Sequence, residues 1–182
     1  MHTILQLMSI SVLEKKIREV KDFPKKGISF KDITPILSDP SISAFVVDSF
    51  RNKLKDEKID AIVGVESRGF LFGMMLANAM DLPFIPIRKA GKLPSEVISE
   101  QYDLEYGKAV VEIHTDSIQK GWNVVVHDDL LATGGTAKAS AKLVERLGGN
   151  VKAFAFVVEL SFLDGRKLLE TDSSKIISLI KY

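Results

Sequence analysis

Apolar positions along the chain fall into two rhythms. Apolar runs at residues 59–65, 84–87, 123–127, 151–158 and, shorter, 176–179 predict buried strands. Helical spacing of Val12, Leu13, Ile17 and Val20 predicts a short amphipathic helix from residue 11 or 12 to 20. Further helices are expected from 41 or 43 to about 54, from the turn at 66–69 to about 80, and from about 134 to 147. Residues 22–35, punctuated by Phe23-Pro24 and Gly27, read as loop. Residues 98–104 and 109–113 flank Glu105-Tyr106-Gly107-Lys108 and predict a β-hairpin. Strands alternating with helices imply an α/β fold, a central, mainly parallel sheet flanked by helices. Ligands in such sheets bind at the carboxyl ends of strands, and three turns fall there, after Val65, Ile87 and His127.

Composition narrows the classes. The 182 residues suit one domain, 1–182, with no internal repeat, low-complexity segment or linker. The net charge of +1 supplies no field that would favour nucleic acid or a membrane surface. No apolar run reaches the length of a membrane span. The lack of cysteine excludes disulfides and thiolate metal sites and fits a cytoplasmic protein. His2, His114 and His127 show no metal spacing, and His127 reads as a packed or hydrogen-bonded histidine. Residues 1–13 have neither a basic lead nor a cleavage site, so no signal peptide is expected, and Met8 is an alternative start to Met1.

The densest chemistry lies at 124–137, where an apolar strand leads into Asp128-Asp129-Leu130-Leu131-Ala132-Thr133-Gly134-Gly135-Thr136 and a helix. Glycines let the backbone approach an anion, and the N–H groups of a helix start bind phosphate. Two adjacent carboxylates accept hydrogen bonds from sugar hydroxyls or organise a hard divalent cation. A phosphorylated sugar satisfies both ends. Lys138 is wrongly placed for a Walker A loop, and the three spaced glycines of a dinucleotide fingerprint are absent. Glu66-Ser67-Arg68-Gly69 is a second strand-to-helix turn, in which Arg68 offers a planar fork for phosphate oxygens. Val65 stands where a hydrolase nucleophile elbow needs glycine. Arg88-Lys89-Ala90-Gly91-Lys92-Leu93-Pro94 adds cations beside it.

The stretch 124–137 resembles the phosphoribosyl-pyrophosphate (PRPP) motif of the type I phosphoribosyltransferases. Three further segments are similar to the adenine-specific members: Phe23-Pro24 through Phe30-Lys31-Asp32-Ile33, the 88–94 run, and Tyr102-Asp103-Leu104-Glu105-Tyr106-Gly107. The resemblance runs from about residue 20 to 158, and its motifs occur in the family's order. Departures are His127, where the family usually has an apolar residue, and an N-terminus several residues longer than in many bacterial members. His127 adjoins Asp128, which makes it a candidate to perturb the pH dependence of the acidic pair.

The resemblance implies a type I phosphoribosyltransferase fold with an N-terminal base-binding hood (about 1–40) and a flexible catalytic hairpin (about 96–114). It implies a purine-salvage pentosyltransferase that converts adenine and PRPP into AMP and pyrophosphate with Mg²⁺, as a cytoplasmic homodimer. Ala132, Thr133, Gly134, Gly135 and Thr136 would hold the 5′-phosphate. Asp128 and Asp129 would hold the ribose hydroxyls, with Mg²⁺ carried mainly through PRPP beside them. Ser67, Arg68 and Lys89 would stabilise pyrophosphate, and Arg88 is a candidate to reach across a dimer interface. Phe30 and Leu130 would clamp adenine while the main chain at Ser29 and Lys31 reads its edge. Glu105 would act as acid or base on the closing hairpin, with Tyr106 packing on the ligand. Two alternatives stay open: an enzyme for an oxopurine, and a PRPP-sensing regulator without catalysis.

Overall fold

The computed structural model describes residues 9–103, 107–170 and 174–182. Its main sheet has seven strands: β3 (Ala61–Val65), β4 (Phe84–Lys89), β5 (Val97–Asp103), β6 (Lys108–His114), β7 (Asn123–Leu131), β8 (Asn150–Glu159) and β9 (Lys175–Lys181), in the order β5-β6-β4-β3-β7-β8-β9. β4, β3, β7, β8 and β9 are parallel to one another, while β6 pairs antiparallel with both β4 and β5. Buried on both faces, the central strands read as continuous apolar runs; every residue of β3 is buried.

Helices cover both faces. On one lie α1 (Ile10–Lys16), α2 (Thr34–Leu37), α3 (Pro40–Leu54) and α4 (Gly69–Ala79), which contribute Leu13, Ile36, Phe50 and Phe72 to one core. On the other lie α5 (Gly135–Arg146) and α6 (Gly165–Leu169), with Leu143, Val144 and Leu169 in a second core. α3 starts cleanly because the Asp39 carboxylate accepts from Ser41 N and Ile42 N and Pro40 presets the first turn. β3 passes through α4 to β4 on one side, and β7 through α5 to β8 on the other. The crevice at the carboxyl ends of β3 and β7 is therefore the topological switch point, where such sheets bind ligands.

Three expectations are corrected. α1 ends at Lys16 instead of reaching residue 20, because residues 18–21 form β1 (Arg18–Lys21). β1 pairs antiparallel with β2 (Ser29–Asp32), which lies in the stretch read as loop, to form a separate two-stranded hood. Pairing across the hood outweighs the weak helical spacing of Ile17 and Val20. The third concerns β7, which runs through both carboxylates to Leu131 because β8 continues beside it, pairing Leu130 with Val158 and Leu131 with Glu159.

Candidate active site

The ladder between β3 and β7 ends at the Gly64–His127 pair, so beyond His127 the β3 side of β7 opens into the crevice. Asp128 and Asp129 lie on this stretch. Asp129 is buried, and its Oδ2 lies 3.1 Å from Arg68 Nε. Asp128 Oδ1 accepts from Asp129 N at 2.8 Å. Burial, and then the Asp129 charge, push the Asp128 carboxyl well above the usual carboxylate range. Burial also raises Asp129, with Arg68 opposing it. Glycine is required at 69, since a Cβ there would lie 2.7 Å from His127 O and 3.0 Å from Asp128 Oδ1. The turn bearing Ser67 and Arg68 is thus seated directly on the end of β7. Ser67 itself is exposed, and its peptide bond with Glu66 is cis.

After Leu131 the chain turns through Ala132, Thr133 and Gly134 into α5, with Gly134 at φ +84°, a conformation that favours glycine. Ala132, Thr133, Gly134, Gly135 and Thr136 line a cavity of about 70 Å³ together with Asp128 and Leu130. The free N–H groups and dipole of a twelve-residue helix converge there. The hairpin abuts the same point, since a Cβ on Gly135 would meet Asp103 O and Tyr102 Cδ2, each at 3.4 Å. The catalytic candidate Glu105 and the loop-closure candidate Tyr106 lie outside the described residues.

Glu66 organises the basic loop, a role no local motif signals. Its carboxylate meets Lys92 Nζ at 2.6 Å and Arg88 Nε at 3.3 Å, and accepts from Lys89 N at 3.0 Å. Burial alone would raise its pKa, but these partners outweigh it and hold it at about 2. Lys89 keeps an exposed side chain at the end of β4. Arg88 is turned to Glu66 and to Lys92 O (2.9 Å) within its own chain.

A larger cavity, of roughly 500 Å³, lies under the hood between Phe30, Phe23, Arg18, Asp32 and Arg68. Phe23 meets Phe30 edge to face, with ring centroids 5.2 Å apart. The Arg68 guanidinium sits over the Phe30 ring, 5.1 Å from its centroid. Arg68 therefore belongs to both the hood cavity and the carboxylate site. Asp32, part of the Phe23–Ile33 motif, and Arg18, which no motif marks, brace the cavity rim through an ion pair of 2.6 Å. Ser29 and Lys31 flank Phe30 on β2, so their main-chain groups face the same strand edge. Their side chains turn to Glu19, at 2.5 Å for Ser29 Oγ and 3.5 Å for Lys31 Nζ. Leu130 packs against the α3–α4 core and lines the small cavity of the glycine turn, but does not line the cavity beside Phe30. His127 is buried against Phe50, ring centroids 5.4 Å apart, and burial lowers its pKa to about 4. Neutral at pH 7, it adds no charge to the acidic pair.

A glycine turn at a helix start, two adjacent carboxylates and flanking cations thus meet at one switch point. Consistent with this, the model of the phosphoribosyl transferase domain matches residues 38–180, and the chain belongs to that family. Within it the chain stands among the adenine phosphoribosyltransferases. That of Methanococcus vannielii is 55% identical over 170 residues (93% of this chain, 97% of the relative). The protein of Caldanaerobacter subterraneus subsp. tengcongensis is 53% identical over 175 residues (96% and 100%). The crystal structure of the Thermoanaerobacter pseudethanolicus adenine phosphoribosyltransferase superposes with a TM-score of 0.92 at 52% identity, covering 96% of this chain and 100% of that one. A Saccharomyces cerevisiae structure complexed with an imino-altritol bisphosphate and adenine gives a TM-score of 0.88 at 41% identity, covering 93% and 98%. The chain is accordingly a pentosyltransferase of the adenine phosphoribosyltransferase family.

Proposed function

We propose that the crevice transfers the 5-phosphoribosyl group of PRPP to adenine through the residues described above. The observation that carries this reading is Arg68, which joins the aromatic hood cavity to the buried carboxylates. Main-chain N–H groups of Ala132 to Thr136 hold the 5′-phosphate. Asp128 and Asp129 accept hydrogen bonds from the ribose hydroxyls, while Ser67, Arg68 and Lys89 stabilise the departing pyrophosphate. Adenine stacks on Phe30, its edge meets the main chain of Ser29 and Lys31, and Leu130 closes over the opposite face of the base. Glu105 manages the proton on adenine, and Tyr106 packs over the closed site.

Among the described residues no three acidic or histidine side chains form a metal cage. Mg²⁺ keeps phosphate oxygens and waters and needs only one or two carboxylates, so it would be carried mainly through PRPP. Asp128 and Asp129 would help to hold it, and among the described residues buried Asp129 Oδ2 has no hydrogen-bond partner. The ion supplies charge neutralisation for the pyrophosphate. Leu71, Met74 and Met75 form an exposed apolar stripe on α4, which supports a homodimer. We place the protein in the cytoplasm, in keeping with its lack of cysteine.

The test is pyrophosphate release from PRPP and Mg²⁺ with adenine, hypoxanthine, guanine or xanthine offered separately. Release with adenine alone is expected. Release with an oxopurine alone overturns the base reading, and tight PRPP binding without release from any base indicates a regulator.

A further inference from the structure

The glycine loop at residues 132–134 is backed by the start of α6. A Cβ on Gly165, the first residue of α6, would collide with Ala132 O and lie 2.9 Å from Gly134 N. A Cβ on Gly134 would lie 2.7 Å from Gly165 O. The two main chains therefore press together with no side chain between them. Five residues of helix hold no position unaided. α6 is fixed by Arg166, whose Nε and Nη2 meet Glu159 Oε1 and Oε2 at 2.9 and 2.6 Å. Arg166 also donates to Ile176 O at 3.3 Å, and Ser178 Oγ donates to Glu159 Oε2 at 2.5 Å. Glu159 is itself buried and pairs across the ladder with Leu131, the last strand residue before the loop. The Leu160 N to Leu131 O bond, 2.9 Å, closes the frame.

We propose that Arg166 is a positioning residue for the 5′-phosphate site: clamped on Glu159, it sets Gly165 against residues 132–134 and so holds the loop in its anion-binding form. This rests on reading residues 132–136 as the phosphate cradle. A bidentate fork suits the task, because it fixes direction as well as distance. The strain-free alternative, a loop shaped by its own glycines alone, has no need of a bidentate ion pair behind it.

AMP and adenosine differ only by the 5′-phosphate, so the ratio of their affinities isolates the loop. Calorimetric titration of both into the wild type and Arg166→Met, at a temperature where circular dichroism shows each folded, gives the test. The AMP-to-adenosine preference is expected to fall on the order of tenfold or more, with adenosine affinity unchanged and partial recovery in Arg166→Lys. Gly165→Ala, which leaves the ion pair intact and drives a methyl into the loop, is expected to lose the same preference and serves where Arg166→Met does not fold. A preference retained in full by either folded variant overturns the proposal. A wild type that binds AMP and adenosine equally overturns the phosphate reading of the loop instead, and the brace with it.

Discussion

Arg68 Nε lies 3.1 Å from Asp129 Oδ2, so the turn after β3 is tied to a buried carboxylate on β7. The same guanidinium covers the Phe30 ring. Deleting it removes the cation proposed to stabilise pyrophosphate and leaves Asp129 buried without its countercharge. Arg68→Ala is expected to lower kcat/KM for PRPP by roughly 10²- to 10³-fold. Arg68→Lys should recover only part of this, since an ammonium cannot reproduce the fork. Steady-state kinetics at saturating adenine decide it, and an Arg68→Ala enzyme within threefold of wild type would remove Arg68 from the site.

Phe30 lines the hood cavity, where Phe23 meets it edge to face. Stacking a base on an aromatic ring contributes about 1–3 kcal/mol. Phe30→Ala should raise KM for adenine about tenfold to a hundredfold and leave KM for PRPP within about threefold. A rise confined to PRPP would show that the cavity beside Phe30 does not hold the base.

The exposed side chains of Leu71, Met74 and Met75 recur at helical spacing on the face of α4 opposite buried Phe72 and Leu76. A charge at the centre of that stripe would be buried unpaired between two copies. Met74→Glu is therefore expected to shift the sedimenting species from two chains to one at micromolar concentration, without unfolding α4. A wild type that sediments as one chain would contradict the dimer itself.

The carboxyl-end constellation was legible from the chain because each of its turns combines a strand, a charge and a glycine within a few residues. β3, the hairpin strands and β8 were legible too, as apolar runs or as pairs around a turn. β1 and β2 were not: at four residues each, with no fully buried position, they carry little pattern and exist through each other. The extension of β7 to Leu131 was hidden for a related reason, since acidic residues mark loops unless a neighbouring strand pairs with them. Glu66 and the Glu159–Arg166 clamp escaped notice because their partners lie on other elements. The Glu66–Arg88 and Glu159–Arg166 contacts join different elements, and local spacing does not report such pairs.

His127 shows how an apolar environment turns a titratable side chain into a pH liability. Its ring is wholly buried, and among the described residues neither nitrogen meets a hydrogen-bond partner. Burial lowers its pKa from 6.5 to about 4, partly opposed by the Ala155 main chain facing it across the ladder. The unfolded chain takes up a proton below pH 6.5, whereas the folded chain resists until about 4. Stability is therefore full above pH 6.5 and is lost as the pH falls between those values. Between pH 7 and 5 the loss from this group is about 2 kcal/mol. His127→Leu fills a similar volume without a titrating group, so its stability should fall less over the same interval, by about that amount. Other titrating groups contribute equally to both proteins and cancel in the comparison. Urea unfolding of the two proteins at pH 7 and pH 5 measures the difference, and equal losses would mean that His127 is protonated in the folded core.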